Sequence, residues 1–302
     1  MTLLTSMNDP CRKGCRGPNP LCRKRNCPLK VSAENPLSSE GAEASMADPE
    51  RDGRMATLAG LRLAVTFLTR LPLPAPKSTE DGALAHSMHL FPLVGVLVGG
   101  VGAGVYGLAT RLLPPALAAL LALAAMTALT GAMHEDGLAD IADGFGGGAD
   151  RESKLAIMKD SRIGSYGAVA LLLGLLLKAA AIAALAAPGL VAGALIAAHA
   201  LARAAIPLAM QLLAPARASG LGVSAGKPSA STAGIAATLG LIVAALVLPA
   251  GAAFGACLAA GLATLAMAML AWRQIGGQTG DVLGAVEQVA EIAALLAVVA
   301  LR

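Results

Sequence analysis

The sequence predicts an all-α, polytopic membrane helix bundle with about seven spans and an N-terminal interfacial helix. Two observations carry this. Only 14% of the 302 residues are charged and 56% are hydrophobic, against about 25% charged in an ordinary soluble domain. The apolar runs are also long enough to cross a bilayer, about 20 residues each. Mean hydropathy is +0.68. Net charge is +4 with dispersed basic residues, which argues against a nucleic-acid partner, since that would need a concentrated basic face.

Residues 1–55 differ in composition from the rest and read as a disordered, Cys-containing tail, leaving 56–302 as the membrane-embedded domain. Cys11, Cys15, Cys22 and Cys27 are separated by 3, 6 and 4 residues. Paired C-x2-C knuckles would signal zinc; this spacing does so weakly. No signal-peptide core is present, and Met46 or Met55 is an alternative start. Cys257, in an apolar run, reads as a small core residue.

Residues 56–71 are too short and too charged to span, with Arg62 and Arg70 interrupting an apolar surface, and read as the interfacial helix. Spans follow near 92–112, 115–133, 167–187, 189–213, 232–250, 252–272 and 283–301. Ala and Gly dominate them, which favours close helix approach. If the spans alternate, one face carries Arg51, Arg54, Arg62, Arg70, Lys77, Arg151, Lys154, Lys159, Arg162, Arg217, Lys227 and Arg273. The other carries only Arg111 and Arg302. The positive-inside rule makes the first face cytoplasmic, and every chemically rich loop lies on it.

The richest loop begins after the second span. Asp136, Asp140 and Asp143 stand at i, i+4 and i+7, on one side of a helix. Three carboxylates so close repel one another and are costly near a membrane core. A divalent cation resolves this, and all-oxygen ligation suits Mg2+ or Mn2+ over zinc. Because Mg2+ is normally shared with substrate phosphates, the ladder points to phosphoryl chemistry. The alternative is a solvated loop whose charges pair among themselves. Imidazole is a poor Mg2+ ligand, and a regular helix turns Glu135 away, so His134 and Glu135 fall outside the expected ligand set.

"DRESKLAIMKDSRIG" follows, with Asp150 as N-cap and about three turns carrying Lys154, Lys159, Asp160 and Arg162. Its bases suit phosphate oxygens. Gly146, Gly147 and Gly148 form a turn or a phosphate approach. "ARASGLGVSAGKPSAS", with Arg217 and Lys227, is a candidate phosphate lid. In "IGGQTGDVLGA", Thr279 to Asp281 either supplies an oxygen ligand or caps the last span. Within the fourth span, Arg203 is a buried cation, hence a functional candidate, able to reach a phosphate or pair with the ladder; His199 lies four residues before it.

"GAMHEDGLADIADGFGGGADRESKLAIMKDSRIGSYG", with "FLTRLPLP", "FPLVGVLVGG" and "IGGQTGDVLGA", resembles the cobalamin synthase (adenosylcobinamide-GDP ribazoletransferase) family over about residues 56–302. The resemblance implies an Mg2+-dependent transferase of the cytoplasmic membrane, its active site facing the cytoplasm, late in cobalamin biosynthesis. It implies joining adenosylcobinamide-GDP to alpha-ribazole or its 5'-phosphate, with GMP released. It implies contacts with the bilayer and with other cobalamin-assembly enzymes. On it, Asp136, Asp140, Asp143 and Asp160 become metal ligands, and Asp143, Lys159 and Arg162 catalytic. Arg203, Lys227 and Asp281 become substrate-binding. A CDP-alcohol-type phosphotransferase is the alternative within enzymes, but its late aspartate pair is missing. A cation transporter is the alternative outside them, but it would need acidic groups in broken helices at mid-membrane.

Overall fold

The computed structural model describes residues 49–74 and 82–302. The expected Cys tail and Lys77 lie outside the described residues. Among the described residues every regular element is a helix. Among the described residues, six helices are long and apolar enough to cross a membrane, or seven when one bent pair is counted as a span.

Helix α1 (Pro49–Leu68) starts with a proline, whose missing N–H costs nothing in a first turn. Its apolar portion, Thr57–Leu68, is too short to span. Ala64, Val65 and Leu68 are buried, while Arg62 stays exposed and donates to the Pro74 carbonyl at 2.7 Å. The short α2 (Ala83–Ser87) and a 3-10 turn (Met88–Leu90) lead into α3 (Phe91–Ala109).

The second expected span divides. Helix α4 (Pro115–Thr130) ends at Gly131 and Ala132, both left-handed at φ 69° and 58°. Two such residues in sequence end the ladder of backbone bonds and redirect the chain. Helix α5 (Met133–Gly147) then leaves at 89° to α4. The expected span of 115–133 is therefore a 16-residue helix, about 24 Å long, and α5 lies across its end. The aspartates ride on that cross-piece.

Helix α6 (Arg151–Ile157) has seven residues, fewer than the three turns expected. Asp150 caps it through a reciprocal pair of bonds with Ser153. The remaining long helices are α7 (Ser165–Leu185), α8 (Pro188–Leu212), α10 (Ala230–Val247), α11 (Ala250–Ile275) and α12 (Gly280–Leu301), with one turn, α9 (Leu221–Ser224), between α8 and α10. Connections 110–114, 186–187 and 248–249 gather at one end of the bundle; the long polar loops gather at the other.

Helix α8 is the axis, buried on nearly every side. Gly95 and Gly99, four apart on α3, lie against the α8 backbone at Leu195, Ile196 and His199. Side chains there would collide with main chain, so only glycine permits this separation. The outward faces of α7, α10 and α11 carry exposed Leu173, Leu176, Leu241, Leu246, Phe254 and Leu262. Apolar residues facing outward on long helices are what hydrocarbon requires and water opposes.

The polar end is tied by named bonds. Arg151 donates to the Ile275 carbonyl at 2.8 Å and the Ala216 carbonyl at 2.7 Å. Arg217 donates to the Leu155 carbonyl at 2.8 Å. Pro215 and Gln278 form an isolated bridge, with Ala216 N–H to the Gln278 carbonyl at 2.8 Å. Three loops distant in sequence become one rigid surface.

Candidate active site

Two glycines bring the acidic residues together. A Cβ on Gly137 of α5 would lie 2.8 Å from the Asp281 carbonyl oxygen, and one on Gly284 of α12 would lie 3.3 Å from the His134 Cα. The two helices cross backbone to backbone, which sets Asp136 and Asp140 beside Asp281. Gly137→Ala is expected to wedge the crossing apart. Activity should fall at least about tenfold while the protein remains folded and monodisperse in detergent. Unchanged activity would show that the crossing does not set the site.

The proximity has an electrostatic signature. The Asp140 carboxyl is pushed up to about 7, by burial first and then by the charges of Asp136, Asp281 and Asp143; Arg217 opposes this. A side chain that holds its proton near neutrality in a group of like charges is one that a cation would relieve.

Of the two roles expected for the segment Thr279 to Asp281, the structure shows the cap. Thr279 is the N-cap of α12, its hydroxyl accepting from Val282 N–H at 3.3 Å and donating to Asp281 at 3.2 Å. The Asp281 carboxylate meanwhile stands 3.7 Å from the Arg217 guanidinium. A polar cleft of about 80 Å3 runs beside it, bordered by Arg217, Ser219, Gly220 and Gln278. On the other side an apolar cavity of about 110 Å3 opens onto Asp136 and Asp281.

The structure separates other expected site residues from this group. Asp143 is on α5 but buried; its two carboxylate oxygens accept the N–H groups of Gly164 at 2.7 Å and Gly167 at 2.8 Å. It fastens the start of α7 to α5 rather than facing the cleft. Its oxygens are occupied, a poor state for a base or a metal ligand. Asp143→Ala is expected to destabilise the fold by about 1–3 kcal/mol, seen as a lower unfolding temperature; an unchanged temperature would refute the fastening role. Asp160 binds the Arg162 guanidinium at 2.6 Å at the surface, outside both cavities, and the pair holds the Asp160 carboxyl below its ordinary range. Lys159 and Lys227 are exposed and line neither cavity. Gly147 ends α5 and Gly148 caps it, so the glycine run is a helix terminus.

Arg203 is not at the cleft. It is almost wholly buried, its guanidinium paired with Glu287 and lying against His199. Lys178 joins the same cluster, 3.3 Å from Glu135 and 3.4 Å from Glu291, and donates to Gln288 at 3.0 Å. Three carboxylates and two cations thus meet between α5, α7, α8 and α12. The sequence reading missed Lys178, Glu287 and Glu291. Their signal was visible: each is an ionisable residue inside an apolar span, and Glu287–Glu291 repeats the four-residue spacing of His199–Arg203, which puts both pairs on facing sides of two helices. His199, Glu287 and Glu291 also place ligand atoms within 4.8 Å of one another, but Arg203 already supplies the positive charge there. The adjoining space is only about 10 Å3, no more than one water requires, so nothing favours an ion path through it.

The bundle and its polar end define a membrane-embedded enzyme, with acidic and basic side chains gathered where α5, α12 and the 213–229 loop meet. A family model described as cobalamin-5-phosphate synthase matches residues 60–299, and the chain belongs to that family. It is 52% identical over 246 residues to an adenosylcobinamide-GDP ribazoletransferase of Bradyrhizobium diazoefficiens, covering 81% of this chain and 95% of the relative. A protein of the same description from Mesorhizobium japonicum is 48% identical over 235 residues, covering 78% and 90%. One from Rhizobium johnstonii is 45% identical over 250 residues, covering 78% and 94%. No solved structure matches the chain.

Proposed function

We propose that the protein transfers the adenosylcobinamide phosphate group of adenosylcobinamide-GDP to alpha-ribazole, or to its 5'-phosphate, releasing GMP. The observation that carries this reading is the grouping of Asp136, Asp140 and Asp281 from two helices, with Asp281 and Arg217 bordering a cleft of about 80 Å3. The family relationship supplies the substrates. In bond terms, a ribose hydroxyl oxygen forms a bond to the phosphorus on the cobinamide arm, the phosphorus–oxygen bond to GMP breaks, and the hydroxyl proton passes to a carboxylate.

The donor set fits Mg2+: hard oxygen atoms, mutually repelling, open on the side of an anionic substrate. Asp136, Asp140 and Asp281 would hold it. When bound, it supplies neutralisation of pyrophosphate charge and of the departing GMP. Asp136, the most exposed of the three and at the mouth of the apolar cavity, is placed to accept the hydroxyl proton. Arg217 orients the phosphates by paired N–H groups, and the glycine-rich backbone at 219–222 admits them closely. Lys159, Arg162 and Lys227 add a positive field that draws the anionic substrate to this end.

By the positive-inside rule, the same basic residues support a polar end on the cytoplasmic side of the inner membrane. A large amide-bearing corrinoid then docks at the surface while only its phosphate arm reaches the helix ends.

The test is direct. Protein purified in detergent is supplied with adenosylcobinamide-GDP, alpha-ribazole and Mg2+, and GMP is followed. Dependence of GMP on all three is expected. No GMP from monodisperse protein would overturn the reading.

A further inference from the structure

Two sides of α8 border open space. Ile206 and Met210 border the cavity beside the aspartates, whereas Leu201, Ala205 and Leu208 border a groove between α8, α10 and α11. At helical spacing the two sets face opposite ways. The groove holds about 350 Å3. Its floor is deep: Leu201, Ala204, Ala205 and Ala260 are 6% exposed or less. Its rim is open. A Cβ on Gly261 would meet no atom within 4 Å, and Leu241 and Leu265 are half exposed. The rim therefore runs without a break into the outward apolar faces of α10 and α11.

The lining decides what the groove can hold. The Thr264 hydroxyl already donates to the Ala260 carbonyl at 2.7 Å, and the Gln211 amide to the Pro228 carbonyl. A ligand bearing donors or charges would lose its water here and gain no partner. Hydrocarbon loses nothing. A helix with its side chains is about 10 Å across, and one turn of it fills about 400 Å3, more than the groove offers along its whole length. A dry cavity of about 150 Å3 accepts benzene, so about 350 Å3 accepts a flexible chain of roughly a dozen carbons. From Leu201 to Leu212 the groove follows α8 for about 16 Å, which suits such a chain.

The polar end of the groove is marked twice. Gln211 and Leu212 close it, and the bond from Gln211 to Pro228 brings the exposed Lys227, the preceding residue, next to that end. On α11, Trp272 follows Leu265 by two turns on the same side and is 64% exposed. An exposed indole at the end of a spanning helix stands at the headgroup level. Hydrocarbon depth, an interfacial ring and a cation thus follow one another in the order of a lipid's own parts.

We infer that this groove is a binding site for one phospholipid of the leaflet on the polar-loop side. One acyl chain lies between α10 and α11 against α8, and the phosphate stands at the level of Trp272 and Lys227. The lipid fills a concave space that side chains leave open, unlike the lipids that pass over the convex leucine faces.

Native mass spectrometry tests this. Protein is reconstituted in vesicles of palmitoyl-oleoyl phosphatidylglycerol, extracted in mild detergent and weighed. Wild type is expected to keep one phospholipid. In Gly261→Phe the ring enters the groove without meeting protein, and retention should fall at least about tenfold. Gly104→Phe, with equally open space on α3, should keep the lipid. Lys227→Gln should keep about fivefold less. Cys257, in the groove wall, gives a second readout once Cys11, Cys15, Cys22 and Cys27 are replaced by serine. Its alkylation by N-ethylmaleimide should be at least about tenfold slower in lipid-loaded than in lipid-stripped protein. No lipid on wild type, equal retention by wild type and Gly261→Phe, or equal loss in Gly104→Phe would overturn the inference. So would a Cys257 rate indifferent to lipid, and retention unchanged in Lys227→Gln would remove the phosphate from that end.

Discussion

Arg203→Met is expected to cost about 3–5 kcal/mol of fold stability, the largest single effect of any substitution away from the cleft. The reason is the environment of its partner. Glu287 is wholly buried and paired with Arg203, with Glu291 one turn further along α12. Taking away the guanidinium leaves carboxylates in a medium that cannot solvate them. The pair is not a large net source of stability, because desolvation offsets most of its attraction. It is costly to break and much less costly to replace. The double variant Arg203→Met with Glu287→Met should therefore recover most of the loss. Thermal unfolding in detergent measures both. Losses that add across the two substitutions would mean that the two side chains do not act as a pair.

Asp140→Asn is expected to reduce GMP formation at least about a thousandfold, as removal of one of the proposed Mg2+ ligands would, since such a metal carries several kcal/mol of transition-state charge. Its effect on stability should have the opposite sign. The Asp140 carboxyl is held at about 7, above its ordinary 3.8, so the folded state prefers the protonated form. The favourable contribution of this group is complete below its unfolded pKa and is lost as pH rises through 7. Metal-free wild type should therefore lose stability between about pH 4 and pH 7, and Asp140→Asn should lose less of it. Added Mg2+ should stabilise wild type at pH 8 and leave the variant nearly unchanged. Full activity in the variant, or an equal response of both proteins to Mg2+, would remove Asp140 from the proposed ligand set.

Much of this arrangement could be read along the chain. Long apolar runs bounded by Pro and Gly announce spans. Asp150 announces its helix start and caps as expected, and Thr279 takes the cap, one of the two roles open to its segment. The Asp ladder was legible as unusual because carboxylates at helical spacing near a membrane need a partner. Its division was not. Asp136, Asp140 and Asp143 look equivalent by spacing, yet Asp143 is bound by the N–H groups of Gly164 and Gly167. Those donors come from another helix, and no local pattern shows where they will lie. Arg203 was recognisable as a buried cation, but its partners lie on α12, eighty-odd residues later.

The sequence by itself determined that the chain is a membrane bundle, which end holds the polar loops, and which residue types are available for phosphate chemistry. These follow from transfer free energy and local periodicity, which depend on each segment alone. Only the tertiary structure decided which carboxylates share a site. Two left-handed residues turn α5 through 89° across the bundle. Gly137 and Gly284 then let α5 and α12 touch, which brings Asp281 beside Asp136 and Asp140. Charge repulsion and coordination act through space over a few ångströms, and that distance is set by packing between segments far apart in the chain.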